Sequence, residues 1–318
     1  MFTESIPKLF YRGDPLDTSP QAFGELRSSQ DARADREELH RRMEEDGYLY
    51  LPGLLNPKDV EAARIEFLER INRLGNLAPE VPVSEGVAKE DGVPLNLGSM
   101  GELAKNNPPL KKVIFTGPMM EFYEFFLGGP VGHFDYIWVR AKVAGQSPTT
   151  YPHYDNVYMG RGTQNLFTSW TPYGDVPLIK GGLMILENSH RLEEIKSTYG
   201  QMDVDAYCTN NDEAPYVESE GPPGDPRWPA RINEGAYTHD AVGLQREVKH
   251  RWLTTNYQAG DLLIFSMFTM HAGMDNQTQR YRLSTDTRYQ LATDPVDERW
   301  VGETIIGHGP AGKKGMIC

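Results

Sequence analysis

From Gly132 onward the chain is cut into short strand-forming pieces, and this texture restricts its fold more than any other feature. FDYIWVRAKVA, NLFTSWTPYGDV, GLMILE, WLTTNYQ, DLLIFSM and YRLSTDTRYQL are rich in aromatic and β-branched residues and are separated by Gly, Pro, Asn and Asp. Such side chains suit a pleated, half-buried surface, and the separators supply turns. Helices come before these strands rather than between them, which argues against the βαβ crossovers of a doubly wound sheet. DARADREELHRRMEEDG predicts a polar helix from Asp31 with Gly47 as its C-cap, and YLYLPGLL a short strand. In NPKDVEAARIEFLERINRLG, Asn56 can cap and Pro57 fits the first turn. Val60, Ala63, Phe67, Leu68, Ile71 and Leu74 then form one apolar stripe at helical spacing. Residues 75–105 read as loop, and 108–127 as two short helices interrupted at Gly117-Pro118. The expected fold is α+β, mainly β: an antiparallel double sheet with N-terminal helices packed on it.

With 318 residues, 39% of them hydrophobic, the chain can build one large domain. Within it we expect an N-terminal extension (1–30) wrapping the surface, a mainly helical part (31–130), a sheet core (131–291) and a C-terminal tail (292–318). The core carries an insertion, 191–251, rich in Pro, Gly and acidic residues and including GPPGDPRWPARINEG. A loop of that length in a compact domain suggests a lid or binding loop. The net charge of −13 argues against general affinity for nucleic acid or anionic membranes. Two cysteines, Cys208 and Cys318, cannot build a disulfide framework, and their spacing suggests no zinc site. No apolar run has signal-peptide or membrane-span length, so a soluble protein of a reducing, cytoplasmic compartment is expected.

TTYPHYDNVYMG places His153 and Asp155 two positions apart. In a strand such residues point to one face, so both side chains can reach one metal ion. His271, in GDLLIFSMFTMHAG, is the candidate third ligand, delivered by an apolar strand. Two histidines and a carboxylate on one octahedral face leave three positions open, the arrangement of non-haem Fe(II) oxygenases. Zinc accepts the same donors, usually as a tetrahedral site with a water. Arg282 follows His271 by eleven residues, with Ser284 two further on. If YRLSTDTRYQ is a strand, Arg282, Ser284, Asp286 and Arg288 share one face, and Tyr281, Leu283, Thr285, Thr287 and Tyr289 the other. A buried polar face needs partners, and an arginine beside a hydroxyl suits a carboxylate. Trp138 and Trp170 read as core residues, and His190 as a structural histidine rather than a fourth ligand.

DGYLYLPGLL followed by a helix, the HYD triplet, GGLMILENSHR, GDLLIFSMFTMHAG and the Arg-X-Ser after the distal histidine occur in order over about residues 46–291. In this ordered set the chain resembles the phytanoyl-CoA dioxygenase family of Fe(II)/2-oxoglutarate-dependent oxygenases. The resemblance implies a double-stranded β-helix (jelly-roll, cupin-like) core. It assigns His153, Asp155 and His271 to iron, and Arg282 with Ser284 to the distal carboxylate of 2-oxoglutarate. The near carboxylate is usually steadied by a polar side chain from the strands around the HXD; Arg140, Thr150 and Thr168 are the candidates. The implied reaction uses O2, releases succinate and CO2, and most often hydroxylates a small organic molecule. Halogenases of this kind lack the carboxylate ligand, and Asp155 is present. No basic cluster marks a CoA phosphate site, which favours a small free substrate, and no feature sets an oligomeric state. The alternative is a non-oxidative metal-dependent isomerase or hydrolase on a cupin-like barrel, which would have no use for Arg282 and Ser284.

Overall fold

The structure, a computed structural model, describes residues 5–146, 149–210 and 235–318, without the side chains of 97 and 99. A hairpin of β1 (Phe10–Tyr11) and β2 (Asp14–Pro15) opens the chain. A four-stranded sheet then combines β3 (Phe23–Glu25), β8 (Leu183–Leu186), β10 (Trp252–Thr254) and β12 (His271–Gly273) in the order β12-β8-β10-β3. A six-stranded sheet runs β4 (Tyr48–Leu51), β11 (Leu262–Ser266), β7 (Phe167–Pro172), β13 (Arg282–Leu291), with β5 (Val131–His133) and β6 (Trp138–Lys142) both pairing β13. The two sheets face one another without closing into a barrel. All pairings inside them are antiparallel except β10 with β3.

Strand alternation decides which side each residue serves. On β4 and β11, Tyr48, Tyr50, Leu263 and Phe265 point between the sheets, where they meet Trp170, Leu183, Ile185 and Leu253. Leu49, Leu51, Leu262 and Ile264 point outward, as do Leu283 and Tyr289 of β13. This outer face is covered by α1 (Arg36–Asp46), α2 (Pro57–Arg73), α3 (Leu97–Ala104), α4 (Pro108–Phe115) and α5 (Gly117–Leu127). The α2 stripe of Val60, Ala63, Phe67, Leu68 and Ile71 is buried there, while Leu74 is exposed beyond the helix end.

Three expectations need correction. Helix α1 starts at Arg36, not Asp31, because Asp35 is the residue whose carboxylate accepts from the free N–H of Glu38 at 3.0 Å. Gly47 closes the helix at φ 78°, a left-handed conformation suited to glycine. The segment read as loop contains α3, whose Gly98 and Gly101 weaken the helical signal while Leu103 anchors it in the core. The N-terminal extension is part of the fold: Leu9, Tyr11, Leu16 and Phe23 are buried against Met184, Leu186 and Trp252 on the outer face of the four-stranded sheet. Within the insertion, a helix over Ala241–Val248, capped by Asp240, joins that cluster, and its Ala241 carbonyl accepts from the Trp252 indole at 2.9 Å.

The tail is held to the same body. β14 (Lys314–Met316) pairs in parallel with β9 (Ala206–Cys208), and Cys208 and Cys318 form a disulfide with Cα atoms 5.5 Å apart. Two cysteines separated by 110 residues carry no proximity signal in sequence, so the bridge was not anticipated. Beside it, Arg299, His308 and Lys313 all converge on the buried carboxylate of Asp205. Burial opposes ionisation of Asp205, but hydrogen bonds and charge from His308 and Lys313 outweigh it and hold the carboxyl at about 2. Asp205→Asn leaves Arg299 and Lys313 without their shared counter-charge and is expected to cost about 3–5 kcal/mol, measured by chemical denaturation. The wild-type advantage should be complete above the unfolded aspartate value of about 4 and vanish as pH falls through about 2.

Candidate metal centre

His153 and His271 are direct neighbours across an antiparallel bridge, each backbone N–H donating to the other's carbonyl at 3.3 Å. Their ring centroids lie 4.2 Å apart. The chain does not continue as a strand to Asp155. It turns there, Asp155 adopting helical dihedrals before a short helical turn over Asn156–Met159. Strand parity was thus the wrong reason for joining His153 to Asp155; the turn brings the carboxylate round. Asp155 Oδ1 lies 3.5 Å from His153 Nε2 and 3.8 Å from His271 Nε2, and all three residues are buried.

Each histidine is held in one tautomer. His153 Nδ1 contacts the Tyr151 carbonyl at 2.7 Å, and His271 Nδ1 the Thr269 carbonyl at 3.0 Å. A carbonyl only accepts, so both protons sit on Nδ1 and both Nε2 lone pairs face Asp155. Burial, aided by His153, pushes His271 down to about 4, so its ring is neutral and ready to ligate.

Asp155 is equally constrained. Its Oδ2 accepts from the Thr168 hydroxyl and from Arg288 Nη2 at 3.0 Å, which leaves Oδ1 to face the histidines. Burial would raise this carboxyl, but the Arg288 guanidinium wins and keeps it well below the usual range. Two imidazole nitrogens and one carboxylate oxygen, with their outer atoms already hydrogen-bonded, fit a divalent metal in a facial geometry.

Arg282, Ser284, Asp286 and Arg288 lie on the inner face of β13, opposite Lys142, Arg140 and Trp138 of β6 and Pro172, Trp170 and Thr168 of β7. Arg140 pairs with Asp286 at 3.3 Å, and Arg288 with Asp155. Arg282 donates to Ser284, and Lys142 to the Thr150 hydroxyl at 3.3 Å; neither meets a carboxylate among the described residues. Gly273 makes room here, since a Cβ on it would lie 2.6 Å from Thr149 Oγ1 and 3.3 Å from Lys142 Nζ. Burial pushes Arg282 down to about 10, and burial together with Arg282 and Arg140 drives Lys142 well below the usual lysine range. A buried guanidinium and a buried amine, on which Asp286 acts only through its field and which touch no carboxylate among the described residues, are a setting suited to an anion.

Of the sequence candidates for the near carboxylate, Thr168 is engaged by Asp155, Arg140 by Asp286, and Thr150 by Lys142. Lys142 escaped sequence reasoning; Arg288 was placed on the inner face of β13, but its partner is Asp155, while Asp286 pairs with Arg140. The alternation W-V-R-A-K in β6 carried a signal for Lys142, because it places three large polar or aromatic side chains on one face. Trp138, read as core, packs half-buried against the cluster of Phe134 and Trp300 and also stacks on Arg288, with the guanidinium carbon 4.1 Å from its ring centroid. Trp170 is buried between the sheets, and His190 bonds the Glu44 carbonyl at 3.0 Å, a structural contact. Of the expected closing loop, 191–251, residues 211–234 lie outside the described residues. Where the chain is described again, the Tyr237 N–H donates to the Pro152 carbonyl at 2.8 Å and His239 stacks on Tyr151 at 4.0 Å, so this end of the insertion docks beside His153.

Comparison with known proteins gives a consistent picture. The family model for phytanoyl-CoA dioxygenase (PhyH) matches residues 43–284. A 1-deoxypentalenic acid 11-beta-hydroxylase of Streptomyces exfoliatus is 25% identical over 271 residues, covering 81% of this chain and 82% of that protein. Among solved structures, EctD from S. alaskensis with 2-oxoglutarate and 5-hydroxyectoine superposes with a TM-score of 0.53 at 14% identity, over 99% of this chain and 97% of that one. The epimerase SnoN, in complex with Fe3+, alpha ketoglutarate and nogalamycin RO, gives a TM-score of 0.51 at 20% identity, over 83% and 86%. These structural likenesses are of fold: the facing sheets are those of a cupin-like, double-stranded β-helix oxygenase.

Proposed function

The chain belongs to the phytanoyl-CoA dioxygenase family and is a 2-oxoglutarate-dependent non-haem iron oxygenase; on that premise we propose that it hydroxylates a small organic molecule, with His153, Asp155 and His271 as its iron ligands. The observation that carries the residue assignment is the pairing of two features. One is a buried donor set with both imidazole tautomers fixed. The other is the buried guanidinium of Arg282 beside the buried amine of Lys142, neither in contact with a carboxylate among the described residues. A metal with a bound dicarboxylate satisfies both, and a metal with water alone satisfies only the first. This weighs against the non-oxidative isomerase or hydrolase.

In this reading each residue has a distinct task. Thr168 and Arg288 hold Asp155 so that a single oxygen is offered to the metal. Arg282, Ser284 and Lys142 hold the far carboxylate and so orient the co-substrate along the inner face of β13. Trp138 and Trp170 and the apolar residues between the sheets keep bulk water away from these charges. Iron with 2-oxoglutarate and O2 supplies the oxidising chemistry, yielding succinate, CO2 and oxidised substrate. The hydroxylase relative suggests oxygen insertion at a carbon of a small metabolite.

The experiment is an anaerobic titration of 2-oxoglutarate into the Fe(II) protein, followed by admission of O2. A metal-to-ligand absorbance band and O2-dependent succinate release are expected. Full Fe(II) occupancy with neither signal would return the choice to a non-oxidative metal enzyme.

A further inference from the structure

The hairpin of β1 and β2 turns through two residues, Arg12 and Gly13, at φ 51° and 89°. A two-residue turn with positive φ at both positions favours Asn or Gly at the first, where a larger side chain is strained. Arginine there points to a task for its side chain. The turn is anchored through its backbone: the Arg12 and Gly13 N–H groups donate to the two oxygens of Asp275 at 2.9 and 2.8 Å. Asp275 closely follows β12, the strand that begins at His271. From this anchor the guanidinium reaches the segment that carries His153. Arg12 Nη1 donates to the Thr149 carbonyl at 3.0 Å, and the guanidinium carbon lies 4.2 Å from the centre of the Tyr151 ring. His239, from the returning end of the insertion, stacks on the same ring at 4.0 Å and 16°. Two flat groups so close to one ring centre cannot share a face without overlapping, so Tyr151 is held between them. The carbonyl of this same Tyr151 accepts from His153 Nδ1 at 2.7 Å.

Resting on the iron-ligand assignment above, we propose that Arg12 is a positioning residue for His153, acting through Tyr151 together with His239. The chain entering His153 is gripped at the Thr149 carbonyl and at the Tyr151 ring. That grip holds the Tyr151 carbonyl against Nδ1 and turns Nε2 toward Asp155. The other histidine is tied to the same turn, because Asp275 continues the chain from His271. Arg12 precedes the family-matched residues 43–284, so this support belongs to the chain's own N-terminal extension. His239 makes docking of the insertion's returning end part of the same support. By linkage, the factor by which that docking tightens the metal is the factor by which bound metal tightens the docking.

The test compares wild type with Arg12→Asn, Arg12→Lys, His239→Ala and His153→Ala. Lys8→Ala is the control, an exposed residue of the same extension whose ammonium rests on Phe10. Fe(II) affinity is read by competition with a chelator, and Co(II) d–d absorbance reports the donor geometry. Thermal melts of the metal-free proteins report stability. Asparagine suits the turn better than arginine, so metal-free Arg12→Asn should melt near the wild-type temperature. It should nonetheless bind Fe(II) about 10-fold more weakly, the low end for loss of a residue that supports a ligand, and shift the Co(II) bands. Arg12→Lys should recover part of the loss, because an ammonium can meet the Thr149 carbonyl but has no flat face for Tyr151. His239→Ala should lose about 3-fold, the scale of one aromatic pair. Lys8→Ala should match wild type throughout. Wild-type Fe(II) affinity and Co(II) bands in Arg12→Asn would overturn the proposal. A weaker affinity that comes with a lowered melting temperature would overturn it too, since a turn that merely stabilises the fold gives that result. If His153→Ala binds Fe(II) as wild type does, the iron-ligand assignment itself falls.

Discussion

His271→Ala is expected to remove Fe(II) binding and turnover while leaving a folded protein. Deleting its ring leaves, among the described residues, His153 Nε2 and Asp155 Oδ1 as the remaining donors of the cluster. Changes to residues that merely support a ligand typically cost 10–100-fold in metal affinity, so loss of a ligand itself should exceed about 100-fold. The backbone bridge from His271 to His153 does not depend on the ring, so the sheet edge should survive. Asp155→Ala should lose the metal as well but behave differently without it. It strands the buried Arg288 guanidinium, a change that costs about 3–5 kcal/mol in comparable settings. Chelator competition for Fe(II), with thermal melts of the metal-free variants, separates the two effects. Near-wild-type iron affinity in His271→Ala would take that residue out of the ligand set.

Arg282→Ala should have the largest effect on the co-substrate. The guanidinium is 3% exposed, beside the Ser284 hydroxyl, with its Nε unpartnered among the described residues. Truncating one member of a buried, hydrogen-bonded charge pair costs about 2–5 kcal/mol, because the other charge stays buried and unpaired. At 1.4 kcal/mol per decade this is a loss of roughly 30- to several-thousand-fold in 2-oxoglutarate affinity. Lys142 remains to receive part of the charge, so Lys142→Ala combined with Arg282→Ala should be worse than either alone. Arg282→Lys should restore only part of the loss, since an ammonium lacks the parallel donors of the fork. Fe(II) affinity should be nearly unchanged in all four. Arg280 is the control: it is exposed, ion-paired with Glu85, and lies before β13 begins. Anaerobic titration of 2-oxoglutarate reads the whole series. A larger loss in Arg280→Ala than in Arg282→Ala would show that the far carboxylate is elsewhere.

The sequence alone determined what depends on short-range pattern. The divided strands after Gly132, the Asn56–Pro57 start of α2 and the Gly47 stop of α1 could all be read from a few neighbouring residues, because periods and caps are local. The sharing of one face by Arg282, Ser284, Asp286 and Arg288 followed from strand parity within a single element. Residue type also singled out His153, Asp155 and His271, although the turn that swings Asp155 into place was invisible. Only the tertiary structure decided how charges were shared. Lys142 touches no carboxylate among the described residues because β6 lies against the Arg282 end of β13, and Arg288 serves Asp155 from 133 residues away. The same holds for the Cys208–Cys318 bridge and for the cations around Asp205, each joining segments about a hundred residues apart. The free energy of a buried charge depends on which groups stand within a few ångströms, and that neighbourhood exists only once both sheets and the tail are packed.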